Sequence, residues 1–374
     1  MKKTFLFCFV FSLLLASCGG NKENQRRPAV VSPEVHADNT VTFRYSAPDA
    51  DTVLLDGQFQ AQRTLMTKGE DGVWSITTGP IKPDMYPYNF VVDGISVMDP
   101  GNPAYFENER FKGSIVDIQG DSPLIHSIQD VPHGAVDYDY YYSDVLGTTG
   151  RFLVYTPPGY DENPDKSYPV FYLISGTTDT DETYFKVGRA NFILDNLLAA
   201  GEVEPMIVVM PYGNPMAYFP AGDPRGVEAA KGLYDDFLTQ MMPYVETNYR
   251  TINDAAHRGI GGFSRGGNQA LTLGLNNLDK FSYLCSYSSF AGNVATFEKD
   301  FKHIVENPAA TNSKINLFWL GVGTEDFLYP TAKEFIDKLQ KNDIKTTTLI
   351  TDGGHTWMNA KHYWAESAKL LFRK

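Results

Sequence analysis

The chain has 374 residues, of which 43% are hydrophobic and 21% are charged; this composition excludes wholesale disorder, and the length predicts about two domains. The formal net charge of −13 excludes a nucleic-acid partner, because contact with a phosphate backbone needs a basic surface. The three cysteines, Cys8, Cys18 and Cys285, are too few for a disulfide framework or a cysteine-ligated zinc site.

Residues 1–17 have the pattern of a secretory signal peptide. Lys2 and Lys3 precede an apolar run over 5–15, and two small residues follow it. The run is about half of the ~20 residues that a membrane-spanning helix needs, so it is not expected to be a permanent anchor. The sequence therefore predicts an exported protein from which residues 1–17 are removed.

The end of this signal, Leu15-Ala16-Ser17-Cys18, resembles the lipobox of bacterial lipoproteins. The resemblance implies that Cys18 is lipidated and becomes the mature N-terminus, and that the polar residues 18–29 form a tether. The protein would then be held at a bacterial membrane, on the periplasmic or cell-surface face of the outer membrane, through this lipid alone. The alternative is an ordinary signal that happens to contain a cysteine.

Residues 30–120 predict a small all-β region, because short alternating segments are separated by turns and no helical period appears. The segments are VTFRY at 41–45, GVWSIT at 72–77 and YPYNFVV at 86–92, followed by the hairpin turn Asp93-Gly94. Their order resembles the immunoglobulin-like modules ahead of glycan-active enzymes, in the glycogen-binding and isoamylase N-terminal group. The resemblance implies an immunoglobulin-like sandwich with a structural or orienting role, while glycan binding by this module stays open.

Residues 121–374 predict an α/β domain. Continuous apolar runs at 168–174 and 206–210 are typical of strands that are buried on both faces of a parallel sheet. Further strands are expected at 151–155, 258–263, 315–320 and 346–350, and helices at 191–200, 233–249, 269–276, 331–342 and 362–373. This alternation indicates a doubly wound sheet.

The segment Gly262-Phe263-Ser264-Arg265-Gly266 matches the G-x-S-x-G pattern of a nucleophilic serine. Its place between a predicted strand and a predicted helix matters more than the letters, since a sharp strand-to-helix turn holds the serine above the sheet. The helix N-terminus also favours negative charge at that spot. The alternative is a plain glycine–serine loop.

A nucleophilic serine needs a base, and the base needs an orienting acid. His355 and Asp326 each follow a predicted strand, and the chain order Ser264, Asp326, His355 is that of α/β-hydrolases. Glu325 stays open as the acid beside Asp326. The other candidate bases are His133, His257 and His362.

Acyl transfer also needs hydrogen-bond donors for the oxyanion. The backbone amide of Arg265 is one candidate, and the second is expected from the loop after the strand that ends at Ile174. We assign it to Thr177, with Gly176 as the alternative. No residue spacing suggests a metal site, and no cofactor is expected.

With these features in place, residues 125–374 resemble the esterase group that includes carbohydrate esterase family 1, enterochelin esterases and mycolyltransferases. The matching stretches are VPHG at 131–134, VYTPPGY at 154–160, LLAAG at 197–201, IVVMP at 207–211, the Ser264 turn, GTED at 323–326 and GGH at 353–355. Two positions depart from the group: Ser175-Gly176 stands where it usually has His-Gly, and Arg265 where it usually has an uncharged residue.

The resemblance, the export signal and the N-terminal module lead to one hypothesis. The protein is expected to be a secreted serine esterase that hydrolyses ester decorations of plant cell-wall glycans, most specifically feruloyl esters on arabinoxylan. Alternatives of the same class are an acetylxylan esterase and an enterochelin-type siderophore esterase. The alternative of another class is a catalytically inactive glycan-binding lipoprotein. The leaving sugar and the oligomeric state stay open.

Overall fold

The computed structural model describes residues 30–373. The predicted signal at 1–17, the predicted lipidation site Cys18 and the remainder of the predicted tether up to residue 29 lie outside these residues. No helix within the described part of the chain is long and apolar enough to cross a membrane.

The first part of the described chain consists of antiparallel sheets. Its strands are β1 Glu34–Val35, β2 Val41–Ser46, β3 Val53–Gly57, β4 Thr64–Leu65, β5 Thr67–Lys68, β6 Val73–Thr78, β7 Asp84–Val92, β8 Ile95–Val97, β9 Tyr105–Phe106 and β10 Gly113–Ile118. One sheet has the order β1-β2-β6-β5 and the other β4-β3-β7-β10-β9, with β8 paired to β7. Apolar side chains of both sheets pack into one core, which includes Phe43, Trp74 and Phe90. The all-β prediction for this region is confirmed.

The second part is an α/β domain. Its strands are β11 Ala135–Ser143, β12 Thr148–Thr156, β13 Val170–Ile174, β14 Ile207–Pro211, β15 Arg258–Phe263, β16 Tyr283–Tyr287, β17 Leu317–Gly323 and β18 Thr347–Thr351. They form one sheet of order β11-β12-β14-β13-β15-β16-β17-β18, antiparallel at its first two strands and parallel from β14 onward. The predicted doubly wound sheet is confirmed.

Helices cover both faces of this sheet, in two separate apolar cores. They are α1 Thr183–Lys186, α2 Ala190–Ala199, α3 Pro224–Lys231, α4 Leu233–Asp236, α5 Met242–Asn248, α6 Arg265–Leu275, α7 Phe297–Asp300, α8 Lys302–Val305, α9 Pro308–Lys314, α10 Tyr329–Lys341 and α11 Trp357–Ala368. A π-helical turn, Phe237–Met241, joins α4 to α5 within the span 233–249 that the sequence predicts as helix. The closing helix was expected at 362–373 and instead begins at Trp357, because Thr356 caps it by accepting from the Asn359 amide.

The two parts share buried contacts. Met85, Phe106 and Ile115 of the β region belong to the same apolar cluster as residues of α1 and α11. Across this boundary the Lys361 ammonium of α11, which is 3% exposed, forms an ion pair with Asp84 at the start of β7. Burial lowers the pKa of Lys361 despite the nearby carboxylates.

We expect Lys361→Met to lower the free energy of unfolding by about 2 kcal/mol, because it leaves the partly buried Asp84 carboxylate without its partner. Equilibrium urea denaturation measures the change. The matched control is Lys345→Met, which removes an exposed lysine and should change stability by less than about 0.5 kcal/mol. Equal stabilities of the two variants would contradict a structural role for this ion pair.

Candidate active site

Ser264 occupies a sharp turn between β15 and α6. Its backbone has φ 55° and ψ −121°, a conformation that is strained for a residue with a side chain. The neighbouring glycines make the turn possible: a Cβ at Gly262 would lie 2.3 Å from the carbonyl oxygen of Ile174, and one at Gly266 would lie 2.2 Å from it. The predicted strand–serine–helix arrangement is therefore present, and its small residues are required by contact with β13.

The helix that follows Ser264 points its first amides back at the serine. The Arg265 amide has no acceptor within the helix, since the first turn of any helix leaves its N–H groups unpaired. The turn itself is fixed by the Ser264 amide, which donates to the Tyr287 carbonyl of β16 at 2.9 Å. A negative charge that develops beside Ser264 would thus face a helix N-terminus and a free N–H group.

Asp326 and His355 come together at the ends of β17 and β18. The Nδ1–H of His355 donates to both carboxylate oxygens of Asp326, at 2.9 and 3.0 Å. The Asp326 side chain is fully buried and also accepts from the Leu328 amide at 2.8 Å. Glu325, the alternative acid, is exposed, and only its backbone is tied, to Gly353. The structure therefore brings Asp326, and not Glu325, to the imidazole.

The electrostatics of this pair favour an ionised carboxylate. Burial by itself would raise the pKa of Asp326, but hydrogen bonds from His355 and from the Leu328 amide outweigh it. The net effect holds the pKa of Asp326 below its ordinary value. The carboxylate can therefore fix the Nδ1–H tautomer and leave Nε2 free to accept a proton.

His355 also lies beside the serine turn. The ring of Phe263, the residue before Ser264, stacks on the imidazole with centroids 4.6 Å apart. Among residues 30–373 no hydrogen bond joins the Ser264 hydroxyl to His355, and such contacts commonly tighten only when substrate is bound. Phe327 also contacts the imidazole: the residue is 73% exposed, and its ring centroid is 4.6 Å from that of His355.

The loop after β13, residues 175–180, is the candidate oxyanion loop. The Gly176 amide donates to the Asp179 carboxylate at 3.0 Å, so it is not free to bind an oxyanion. The Thr177 amide, on an exposed residue, makes no hydrogen bond within the described part of the chain. Of the two alternatives that the sequence left open, this geometry favours Thr177.

The two departures from the family pattern both stabilise this oxyanion loop. The Ser175 hydroxyl, in place of a histidine, donates to the Thr180 carbonyl at 2.7 Å and closes the loop. The Arg265 guanidinium donates to the Gly176 carbonyl at 3.0 Å and is largely buried, which lowers its pKa. The Arg265 side chain thus holds the loop, while its backbone amide faces the serine.

Two residues of this site were not found from the sequence. Asp179 is buried, and burial raises its pKa to about 7 although the Gly176 amide, Arg265 and Asn108 all lower it. Asn108 belongs to the N-terminal β region and is 4% exposed. No local pattern marks a pair 71 positions apart in the chain, so only the folded structure reveals the contact.

The other candidate bases are engaged elsewhere. His133 Nδ1 donates to the Asp195 carboxylate at 2.9 Å, and His257 makes a local contact of 2.8 Å with Asp254. His362 lies on α11.

Cys285 is fully buried in β16, and burial raises the pKa of its thiol. Within residues 30–373 no group of three or more histidine, cysteine or acidic side chains is arranged to hold a metal ion.

Comparison with known proteins gives a family and relatives. A family model named Esterase, with the description "Putative esterase", matches residues 143–371. The chain is 30% identical over 361 residues to an endo-1,4-beta-xylanase/feruloyl esterase of Xylanibacter ruminicola, covering 94% of this chain and 47% of that protein. It is 34% identical over 257 residues to endo-1,4-beta-xylanase Y of Acetivibrio thermocellus, and the match covers 62% of this chain and 23% of that protein. The chain therefore spans less than half the length of these curated relatives.

Solved structures of esterases superpose on the α/β fold of this chain. A ferulic acid esterase superposes with a TM-score of 0.55 and 25% identity, covering 66% of this chain and 99% of that one. The enterobactin esterase of Shigella flexneri superposes with a TM-score of 0.64 and covers 89% of this chain and 93% of that one. Its identity is 15%, so this second likeness concerns the fold alone.

Proposed function

Because this chain belongs to the esterase family whose description is "Putative esterase", we propose that it is a serine esterase that hydrolyses feruloyl esters on arabinoxylan. One observation carries the proposal: the Asp326–His355 pair, with contacts of 2.9 and 3.0 Å, lies beside a strained serine turn in a chain of this family. Ser264, His355 and Asp326 are the proposed nucleophile, base and orienting acid.

In the first half of the reaction, Ser264 attacks the ester carbonyl while His355 Nε2 takes the serine proton. The carbonyl oxygen becomes an oxyanion, which the amides of Arg265 and Thr177 stabilise. Asp326 stays ionised and stabilises the imidazolium. His355 then gives the proton to the leaving sugar oxygen, the C–O bond of the ester breaks, and an acyl-enzyme remains on Ser264.

In the second half, water replaces the sugar. His355 takes a proton from this water, which attacks the acyl carbonyl, and the same two amides stabilise the second oxyanion. The imidazolium then returns its proton to Ser264, and the free carboxylic acid leaves. Each proton that His355 accepts is donated again, so the serine is regenerated without a cofactor.

The substrate proposal is supported by two relatives and by one exposed ring. The relatives are a xylanase/feruloyl esterase at 30% identity and a ferulic acid esterase structure at 25% identity. Because His355 would protonate the leaving group, we expect an exposed side chain beside it to lie near the leaving sugar. The exposed Phe327 ring offers the apolar face on which C–H groups of a sugar can pack.

The proposal extends to location and domain organisation. The signal pattern at 1–17 and the lipobox support export and attachment to a bacterial membrane through a lipid on Cys18. The two packed antiparallel sheets between residues 30 and 120 are consistent with an immunoglobulin-like module. Residues 121–374 would then be the esterase domain, with a feruloylated or acetylated plant glycan as its partner.

We expect a feruloylated arabino-oligosaccharide to be hydrolysed with a kcat/KM at least about tenfold above that for p-nitrophenyl acetate, since the aromatic acyl group adds apolar contact that an acetyl group lacks. Steady-state kinetics on both esters and on methyl ferulate measure the ratio. Protein with Ser264→Ala, prepared in the same way, controls for contaminating esterases.

The other outcomes separate the alternatives. Hydrolysis of acetylated xylan without hydrolysis of feruloyl esters would replace the substrate by an acetyl ester. Hydrolysis confined to a cyclic catecholate siderophore would make the protein a siderophore esterase. A folded protein that is inert on all of these esters yet binds arabinoxylan would be the non-catalytic lipoprotein.

A further inference from the structure

The N-terminal β region touches the oxyanion loop through a short segment that we call the contact segment, residues 107–109. The Glu109 amide donates to the Thr178 carbonyl at 2.7 Å. Asn108 forms an isolated antiparallel bridge with Asp179. The backbone of the contact segment therefore runs alongside the loop as an additional short strand would.

The Asn108 side chain continues this contact inside the protein. Its amide nitrogen donates to the Thr178 hydroxyl at 3.0 Å and to the Asp179 carboxylate at 3.3 Å. The other oxygen of Asp179 accepts from the Gly176 amide at 3.0 Å. A chain of hydrogen bonds thus leads from Asn108 through Asp179 to the residue before Thr177.

The oxyanion loop needs such support because part of it is strained. Thr178 has φ 66°, a left-handed conformation that is unfavourable for a β-branched residue. Backbone of this kind persists only where surrounding contacts hold it. At Thr178 both the carbonyl and the hydroxyl accept from the contact segment.

We propose that the N-terminal β region is part of the catalytic apparatus, and that Asn108 is a positioning residue that holds the Thr177 amide where the oxyanion forms. The inference rests on the proposed serine-esterase mechanism. It gives the β region a role in the reaction itself, in addition to the structural role that its packing provides.

A reciprocal exchange tests the proposal. We expect Asn108→Asp to lower kcat at least about tenfold with KM within about twofold, because it removes the amide donor that holds Thr178 and Asp179. Complete loss of one oxyanion donor would cost roughly 10²–10³. Asp179→Asn should also lower kcat. The double variant Asn108→Asp/Asp179→Asn restores an amide–carboxylate pair and should recover most of the lost rate.

The pH profile gives a second readout. The groups that face the Asp179 carboxylate are the Arg265 guanidinium, the Gly176 amide, the Asn108 amide, the Trp357 indole and the Tyr184 phenol. The hydrogen bond from Asn108 lowers the pKa of Asp179, which burial raises to about 7, so removing this donor is expected to raise that pKa further. Asn108→Ala should therefore shift the acid limb of kcat upward by up to about one pH unit, the equivalent of one hydrogen bond to a charge. When Asn108→Ala is made in a protein that already carries Asp179→Asn, it should cause no such shift.

A measurement without turnover separates this inference from the proposed function. Hydrogen exchange of the peptide that covers the oxyanion loop should be at least about tenfold faster in Asn108→Ala, while exchange in α6 stays unchanged. The matched control is Tyr105→Phe, which removes a 2.7 Å contact with Lys186 at the same boundary without touching the loop. It should leave both kcat and loop exchange within about twofold of wild type.

Two results would overturn the proposal. One is a folded Asn108→Asp variant whose kcat and loop exchange both match wild type. The other is a double variant whose loss is the sum of the two single losses, with no recovery. If the wild-type protein hydrolyses no ester, the proposed function fails, and loop exchange still decides whether Asn108 holds the loop.

Discussion

We expect Ser264→Ala to lower kcat on feruloyl esters by about 10⁵–10⁶-fold. Without the hydroxyl no acyl-enzyme forms, and only the oxyanion donors and substrate binding still favour attack by water. Alanine keeps the Cβ that the turn already accommodates at φ 55°, so stability should change by less than about 1 kcal/mol. Stopped-flow or steady-state release of ferulate measures the rate.

Ser286→Ala is the matched control for this variant. Ser286 is also a buried serine, on the neighbouring strand β16, and its hydroxyl has no hydrogen-bond partner within the described residues. Its loss should leave kcat within about twofold of wild type. Activity in Ser264→Ala above about 1% of wild type would show that another residue is the nucleophile.

The second large effect is expected for Asp326→Asn, with kcat lowered by about 10³–10⁴-fold and little change in KM. The amide can donate to Nδ1 of His355, which favours the tautomer with the proton on Nε2. That tautomer cannot accept the proton of Ser264. Steady-state kinetics on methyl ferulate, with circular dichroism to check the fold, measure the effect.

Glu325→Gln is the natural control, because it changes an adjacent but exposed carboxylate that makes no contact with His355. Its kcat should stay within about twofold of wild type. A large loss in Glu325→Gln together with near-normal activity in Asp326→Asn would assign the orienting acid to Glu325.

The lowered pKa of Asp326 sets the pH range over which its carboxylate is ionised and stabilises the native state. A carboxylate whose pKa is lowered by folding stabilises the native state above its unfolded pKa of about 4, and this contribution is lost as the pH falls through the lowered value. Asp326 therefore stays ionised at about pH 5 and above. A loss of activity between about pH 5 and 8 has to come from another group, and Asp179, whose pKa burial raises to about 7, is one such group.

The fold and the proposed triad could be predicted because their signals are local. The G-x-S-x-G segment, the Asp326 turn and the His355 turn each directly follow a strand, and parallel strands bring their ends to one edge of a sheet. The fully buried strands β13 and β14 are short apolar runs, which the sequence displays directly.

Other elements carried weaker signals. The edge strand β11 has the sequence AVDYDYYYS, in which acidic and aromatic residues alternate, and most of its side chains are exposed or half-buried. A sequence without a clear apolar face does not indicate a strand until its partner β12 is known. The strand β16, YLCSY, is fully buried but only five residues long.

The support of the oxyanion loop could not be predicted at all. Asn108 and Asp179 come from different parts of the chain, and neither belongs to a motif. Their contact depends on the packing of the β region against the α/β domain, which brings Asn108 to Thr178 and Asp179. Long-range packing of this kind leaves no periodic trace in sequence.

The most direct test of the proposed mechanism is to trap the acyl-enzyme. Wild-type protein mixed with excess methyl ferulate and quenched in acid within the first turnover should carry one feruloyl group, and peptide mass spectrometry should place it on Ser264. Asp326→Asn should accumulate less of it, and Ser264→Ala none. A feruloyl group on another residue, or rapid ferulate release from Ser264→Ala, would contradict the account.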